Sequence, residues 1–208
     1  MTRHTKKQSG FTLIELLIAL AFVAFIIMFA VTTVIQIMQT YNKGLSVKQI
    51  SQAGRTTLED ISRYLQTADP GAVNVSALAN GRVCLGGVSY VWNLYNASGS
   101  SINKYTDNSP ITFTRVNDSA SAMCNNGGGS YPAVPKTQAT DILAANIWVI
   151  GVTITAPSVG NPLVDITVKL AVANDPALSG GACTQGGTNG QFCATSNFST
   201  TVITGGGN

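Results

Sequence analysis

From Leu16 through Asn42 the chain runs 27 positions without a charged residue, and Leu16 to Val31 is apolar throughout. As a helix, those positions would span about 40 Å, more than the roughly 30 Å of a bilayer's hydrocarbon core. No Gly or Pro interrupts Phe11 to Lys43. The pattern predicts a membrane helix. Past Asn42 it narrows to one stripe. In LSVKQISQAGRTTLEDISRYLQTADPG, Val47, Ile50, Gly54, Leu58, Ile61 and Leu65 recur at spacings of 3 and 4, as on one face of an amphipathic helix. Lys43, Lys48, Arg55, Glu59, Asp60 and Arg63 fall off that stripe, with Arg55 and Glu59 spaced for a surface pair. Asp69-Pro70-Gly71 ends the run, because a residue before proline is pushed out of the α region. One helix over about residues 12 to 68 is therefore expected.

After Pro70 the period changes to two. In LVDITVKLAV, Val164, Ile166, Val168, Leu170 and Val172 face one way, with Asp165, Thr167 and Lys169 on the other. That alternation is a half-buried strand. ANIWVIGVTIT (145–155) precedes it across APSVGNP, and the two read as an antiparallel hairpin with a longer loop. VSYVWNLY, PITFTRV and the late NFSTTVIT are further strands. Trp92 and Trp148 are expected to pack against the helix stripe. The fold class is α+β, one helix laid across an antiparallel sheet.

Charge adds little outside the first residues. The formal net charge is +3, but Arg3, Lys6 and Lys7 precede residue 10, and the rest balances 9 Lys+Arg against 9 Asp+Glu. No basic face for nucleic acid follows from that. The only histidine, His4, lies in the same basic head. A chain that loses its head has no imidazole for Ser-His-Asp or Cys-His chemistry, or for a histidine-bearing zinc site. Glu59-Asp60 is the only adjacent carboxylate pair, and neighbouring helix positions diverge, so it reads as solvated surface rather than an acid/base pair. There is no GxxxxGK[ST], no HExxH, no GxSxG and no strand-borne GxGxxG. The clusters Gly127–Gly129 and Gly205–Gly207 read as loop, and the four N-x-S/T sequons carry no assigned role. No enzyme and no cofactor is expected.

One residue disturbs the membrane reading. Glu15 sits inside the apolar run, where a charge at the helix centre would cost roughly 2.5–3.5 kcal/mol on insertion scales. A signal peptide would be shorter, with its small residue after the apolar core, whereas Gly10 lies before it. A plain single-pass anchor accounts for the length, and the basic head then stays cytoplasmic, but it leaves Glu15 without a purpose. A cut after Gly10 would make Phe11 a cationic N-terminus four residues from Glu15, and place Glu15 in the first helical turn, where the macrodipole favours an anion.

Gly10-Phe11-Thr12-Leu13-Ile14-Glu15, after a short basic head and before an apolar helix, resembles the class III signal of type IV pilins and of the pseudopilins of type II secretion. The resemblance implies that a prepilin peptidase cuts after Gly10, that the Phe11 amine is methylated, and that the Glu15 carboxylate assists incorporation into a filament. It implies other pilin subunits, the peptidase, the membrane and the pilus assembly machinery as partners. Many pilins carry a glycine or proline partway along this helix; this chain has neither between Phe11 and Lys43, so local melting of the helix is not carried over. GRTTLEDISRYL (54–65) and the strand near the chain end are similar to larger minor pilins and minor pseudopilins. The domain scheme is a leader over 1–10, a transmembrane helix over 11–42, its amphipathic continuation over 43–70 and an extracytoplasmic β-rich domain over 71–208. The expected function is a filament subunit, minor rather than major. The alternatives are a pseudopilin or a membrane-tethered binding or adhesion domain.

Cys84, Cys124, Cys183 and Cys193 all follow the membrane segment, without a CxxC. On the outer side of the membrane disulfides persist. Four cysteines allow three connectivities. Cys183 and Cys193 enclose CTQGGTNGQFC, a polar glycine-rich loop with little core of its own. A bridge there would hold its base, which leaves Cys84 with Cys124.

Overall fold

The computed structural model describes residues 10–95, 103–158, 161–172, 178–179, 182–183 and 193–205. Contacts divide the chain between Tyr41 and Asn42. The helix α1 spans Leu13–Thr67 and contributes to both units.

In the first unit every helical residue from Leu13 to Tyr41 is exposed. Its most apolar window has a mean hydropathy of 2.9 and is 0% buried. Its few hydroxyls bond to their own helix. Thr32 and Thr33 each donate to the carbonyl of Phe29 at 2.9 Å, and Thr40 donates to that of Gln36 at 3.0 Å. Such back-bonding leaves these hydroxyls paired where no water is at hand.

In the second unit α1 buries Ser46, Ile50, Gly54, Thr57, Ile61 and Leu65. The stripe advances close to the helical repeat, and position outranks hydrophobicity. Thr57 is fully buried because its hydroxyl donates to the Ala53 carbonyl at 2.8 Å. Val47, expected on the stripe, is 46% exposed, and Leu58 is half-buried at its margin. The helix ends as its sequence requires: Asp69 Oδ1 accepts from the Gly71 amide at 2.9 Å and caps a short 3-10 turn beginning at Pro70.

Where the sequence pattern predicted a single sheet, two form beneath this helix. The first has five antiparallel strands in the order β1 (Val73–Asn74), β2 (Arg82–Leu85), β3 (Val88–Trp92), β4 (Phe113–Asn117) and β5 (Ala139–Asp141). The second pairs β6 (Ile147–Ile154), β7 (Leu163–Val172) and β10 (Ala194–Ile203), with β7 central and both pairings antiparallel. The chain leaves β3 at Asn93, and one parallel bridge, Leu94 with Val149, meets the second sheet. A short ribbon pairs β8 (Leu178–Ser179) with β9 (Ala182–Cys183).

One core joins the helix to both sheets. Ile50, Ile61 and Leu65 pack with Val83, Tyr90, Trp92 and Phe113 of the first sheet, and with the inward residues of β7 in the second. Val164, Ile166, Val168 and Leu170 are all 0% exposed, in the alternation expected of β7. Trp92 stacks on Phe113 with centroids 5.6 Å apart. Trp148 departs from expectation. It is half-buried in a separate small cluster with Ala171, Tyr95 and the cysteines 183 and 193, because its neighbours Ile147 and Val149 take the core face of β6.

Two close approaches set the helix on the sheets. A Cβ at Gly54 would lie 2.3 Å from the Phe198 ring of β10, so only glycine lets that ring lie against the helix. Asp60 accepts from Arg115 Nη1 at 2.6 Å and from the Tyr90 hydroxyl at 2.9 Å. This overturns the solvated-surface reading of Asp60, which faces β3 and β4. Arg55 and Glu59 form no ion pair among the described residues. Burial, then the adjoining Asp60 carboxylate, pushes the Tyr90 hydroxyl's pKa well above the usual phenol range.

Cys84 is joined to Cys124, with Cα atoms 6.1 Å apart, and Cys183 to Cys193, at 5.7 Å. Residues 184–192, the loop argued to need a bridge, lie outside the described residues.

Gly54→Leu is expected to lower the stability of the globular unit by about 1–3 kcal/mol through overpacking against Phe198. Thermal unfolding of the purified chain in detergent reads this as about 2–4 °C per kcal/mol. Adding Phe198→Ala should recover part of the loss, and a Gly54→Leu protein as stable as the parent would contradict the close approach. Non-reducing peptide mapping should recover Cys84 linked to Cys124 and Cys183 to Cys193. The short bridge constrains the unfolded chain by roughly 3 kcal/mol in the loop-entropy model, and cross-linked peptides between the two pairs would refute the connectivity.

Candidate processing and assembly segment

The residues singled out at the N-terminus lie at the boundary between irregular chain and helix. Gly10, Phe11 and Thr12 precede α1. Thr12 starts the helix: its carbonyl accepts from the Leu16 amide at 3.2 Å, and its hydroxyl oxygen accepts from the Glu15 amide at 3.4 Å. This is the position where a threonine satisfies an amide that the first turn would otherwise leave unpaired. Glu15 is the acidic residue of that first turn, where unpaired amides and the helix dipole favour an anion. In the uncut chain Phe11 lies before the helix.

Among the described residues nothing requires glycine at position 10. A Cβ there would meet nothing within 4 Å among the described residues, and its backbone is not in the left-handed region. Phe11 is 83% exposed. The pair forms an open, uncluttered peptide bond, with the remainder of the basic head at residues 1–9 outside the described residues.

The globular unit offers charged groups that are already satisfied. Arg82 is 2% exposed and pairs with no carboxylate among the described residues. It donates from Nε to Asn103 Oδ1, from Nη1 to the Met123 carbonyl and from Nη2 to the Pro132 carbonyl, each at 2.9 Å. Its guanidinium lies 5.0 Å from the centroid of the Tyr131 ring. Burial lowers its pKa, yet a guanidinium stays charged. Asp118 accepts from the Ser89 hydroxyl at 2.7 Å and from the Ala122 and Met123 amides at 2.9 Å. Both residues tie down the segment that carries Cys124. Sequence reasoning missed Arg82, Asp118 and the Asp60–Arg115 pair. A lone charge in a short strand carries no spacing signal, and only the tertiary partners reveal its role. No group of three or more His, Cys, Asp or Glu side chains suited to a metal occurs among the described residues.

Comparison with known proteins bears on the N-terminal segment alone. No curated protein and no solved structure was found to match the chain. One family model does match, that of the prokaryotic N-terminal methylation motif, over residues 5–32. The match takes in Gly10, Phe11 and Glu15 together with most of the apolar run. With the apolar helix, it points to membrane anchoring, and its family is structural rather than enzymatic. The open Gly10–Phe11 bond, the capped first turn holding Glu15 and the exposed apolar helix are therefore parts of one motif, and the chain carries the class III signal of type IV pilin and pseudopilin precursors.

Proposed function

We propose that this chain is a minor structural subunit of a type IV pilus or pilus-like filament. Prepilin peptidase cuts after Gly10, the new Phe11 amine is methylated, and Glu15 guides the subunit into the filament. The observation that carries the reading is the combination of Gly10 and Glu15. Nothing among the described residues requires glycine at position 10, and an anchor alone requires no carboxylate at position 15. A peptidase that reads the backbone, and a terminal amine, the chain's own or a neighbour's, that needs an anion, would account for both. The ion pair gains leverage in the low dielectric beside the membrane, where a Coulomb interaction is stronger than in water.

The topology follows from charge. The basic head, with Arg3, Lys6 and Lys7, remains cytoplasmic and the globular unit lies outside, where its two bridges are kept oxidised. The minor role rests on the resemblance of residues 54–65 and of the late strand to larger minor pilins and minor pseudopilins. A pseudopilin of a secretion system would share the motif and the same assembly chemistry. A tethered binding domain would need neither Gly10 nor Glu15.

Intact-mass analysis of the mature protein should give a chain beginning at Phe11 and carrying a methyl group. Gly10→Val should block cutting, because a branched side chain crowds the scissile bond. Retention of residues 1–10 in cells with active peptidase would overturn the assignment. Glu15→Val should leave insertion and cutting intact and reduce the chain's share of sheared filaments about tenfold, the effect of losing about 1.4 kcal/mol of pairing. Because wild-type neighbours can carry a minor subunit, the number of filaments per cell should be scored as well. Wild-type levels of Glu15→Val in filaments would remove any assembly role for the carboxylate.

A further inference from the structure

The globular unit carries a polar cleft that filament assembly does not explain. About 500 Å³ in volume, it is lined by Asn74, the last residue of β1, by Ser76 just after it, and by Ser121, Asn125, Asn126 and Tyr131 beyond β4, beside the Cys84–Cys124 bridge. That volume falls within the ~300–1,000 Å³ of small-ligand sites. No acidic or basic side chain lines it.

The amides of the cleft are oriented. Asn74 Oδ1 accepts from the Ser76 amide at 2.9 Å and from the Ser76 hydroxyl at 2.7 Å. Asn125 Oδ1 accepts from the Gly127 amide at 3.0 Å, and Asn126 Oδ1 from the Gly128 amide at 3.2 Å. A carbonyl oxygen bound to a backbone N–H fixes which end of the side chain is which. The three NH2 groups then remain as donors, none of them bonded to another described residue. Tyr131 adds an aromatic ring. The guanidinium of Arg82 lies 5.0 Å from its centroid, and Asn80 Nδ2 donates to its hydroxyl at 3.4 Å. The surrounding backbone is held by the Arg82 bonds to Met123 and Pro132, by Asp118 and by the disulfide. The cleft is preformed, so a ligand has little chain to order on binding.

Uncharged donors at fixed positions beside an aromatic ring suit a ligand rich in hydroxyl oxygens that also has an apolar C–H face. A charged ligand would find no counter-ion among the lining residues. We infer that this cleft binds a neutral glycan, taking a short terminal stretch of sugar. The ring hydroxyls and any N-acetyl carbonyl accept from Asn74, Asn125 and Asn126, and one sugar face lies on Tyr131. The inference is independent of the filament reading, since neither Gly10 nor Glu15 takes part.

The test uses the full chain in a detergent without a sugar headgroup. It is applied to an array of neutral trisaccharides ending in glucose, galactose, mannose or N-acetylglucosamine, with sialylated and sulfated glycans alongside. Binding to at least one neutral series is expected, with saturation-transfer NMR placing the contact on a terminal sugar. Asn125→Ala with Asn126→Ala, both exposed positions, should weaken that binding at least about tenfold, equivalent to the loss of one well-placed hydrogen bond to a bound ligand. Tyr131→Phe, which keeps the ring, should retain it. The thermal transition of the double variant should match the parent, separating lost binding from lost fold, and its incorporation into filaments should be unchanged. Binding to no neutral glycan, binding only to the charged glycans, or neutral binding untouched by the double substitution would each overturn the inference.

Discussion

The constraint on which this protein depends is the apolar surface of α1 before Asn42. Its side chains are exposed on every side, from Leu13 at 78% through Phe25 at 70% to Met38 at 61%. At about 25 cal/mol for each Å² of apolar surface left in water, so long an uncovered helix is not compatible with an aqueous environment. Something outside the described chain must cover it. A bilayer does so for a precursor. Under the proposed function the same surface, largely apolar and free of Gly and Pro, suits exchange of lipid for the helices of other subunits, provided the one charged side chain that enters with it finds a counter-charge. Glu15 is that group, and the capped first turn is what holds it at the end of the run rather than within it.

The second half of α1 solves a different problem with the same backbone. Here one face is covered by the protein itself, and the residues on it are chosen for fit as much as for hydrophobicity. Gly54 makes room for Phe198, Thr57 hides its hydroxyl in its own helix, and Asp60 binds Arg115 and Tyr90. The Asp60 cluster is partly shielded from water, with side chains 16% and 23% exposed. Its loss would therefore cost more than that of an exposed ion pair, whose typical value is about 0–1 kcal/mol. The sheets packed on this face complete the core, and the bridges and Arg82 organise the segments that lie beyond it.

The legibility of these features in the sequence follows their period. The long helix and β7 were plain, because apolar residues repeat there at 3.6 or at 2 over ten positions or more. The hairpin of β6 and β7 was legible for the same reason. Val47 reads as part of the buried stripe because it is hydrophobic, and Thr57 does not because it is polar; back-bonding reverses that ranking. Trp148 was assigned to the wrong side of its strand, since a tryptophan outweighs its smaller neighbours in any estimate of burial. The first sheet was the least legible. β3 and β4 fall within the expected strands VSYVWNLY and PITFTRV, whereas β2 is short and buried on both faces and so shows no alternation, and β1 and β5 have only two and three residues. Asp60 looked solvated because its partners lie 30 and 55 residues away in the chain. At the N-terminus the reverse holds. Gly10 and Glu15 stand out in the sequence, and the described residues supply no competing structural reason for the glycine.

The central claim is that α1 before Asn42 exchanges one apolar environment for another. The most direct measurement replaces Phe25, 70% exposed, with a photo-reactive phenylalanine analogue. Membranes and sheared filaments from the same cells are then illuminated separately. The account predicts lipid adducts in the membrane fraction and covalent links to other filament subunits in the sheared fraction. Lipid adducts alone, with the chain absent from filaments while they still form, would contradict it.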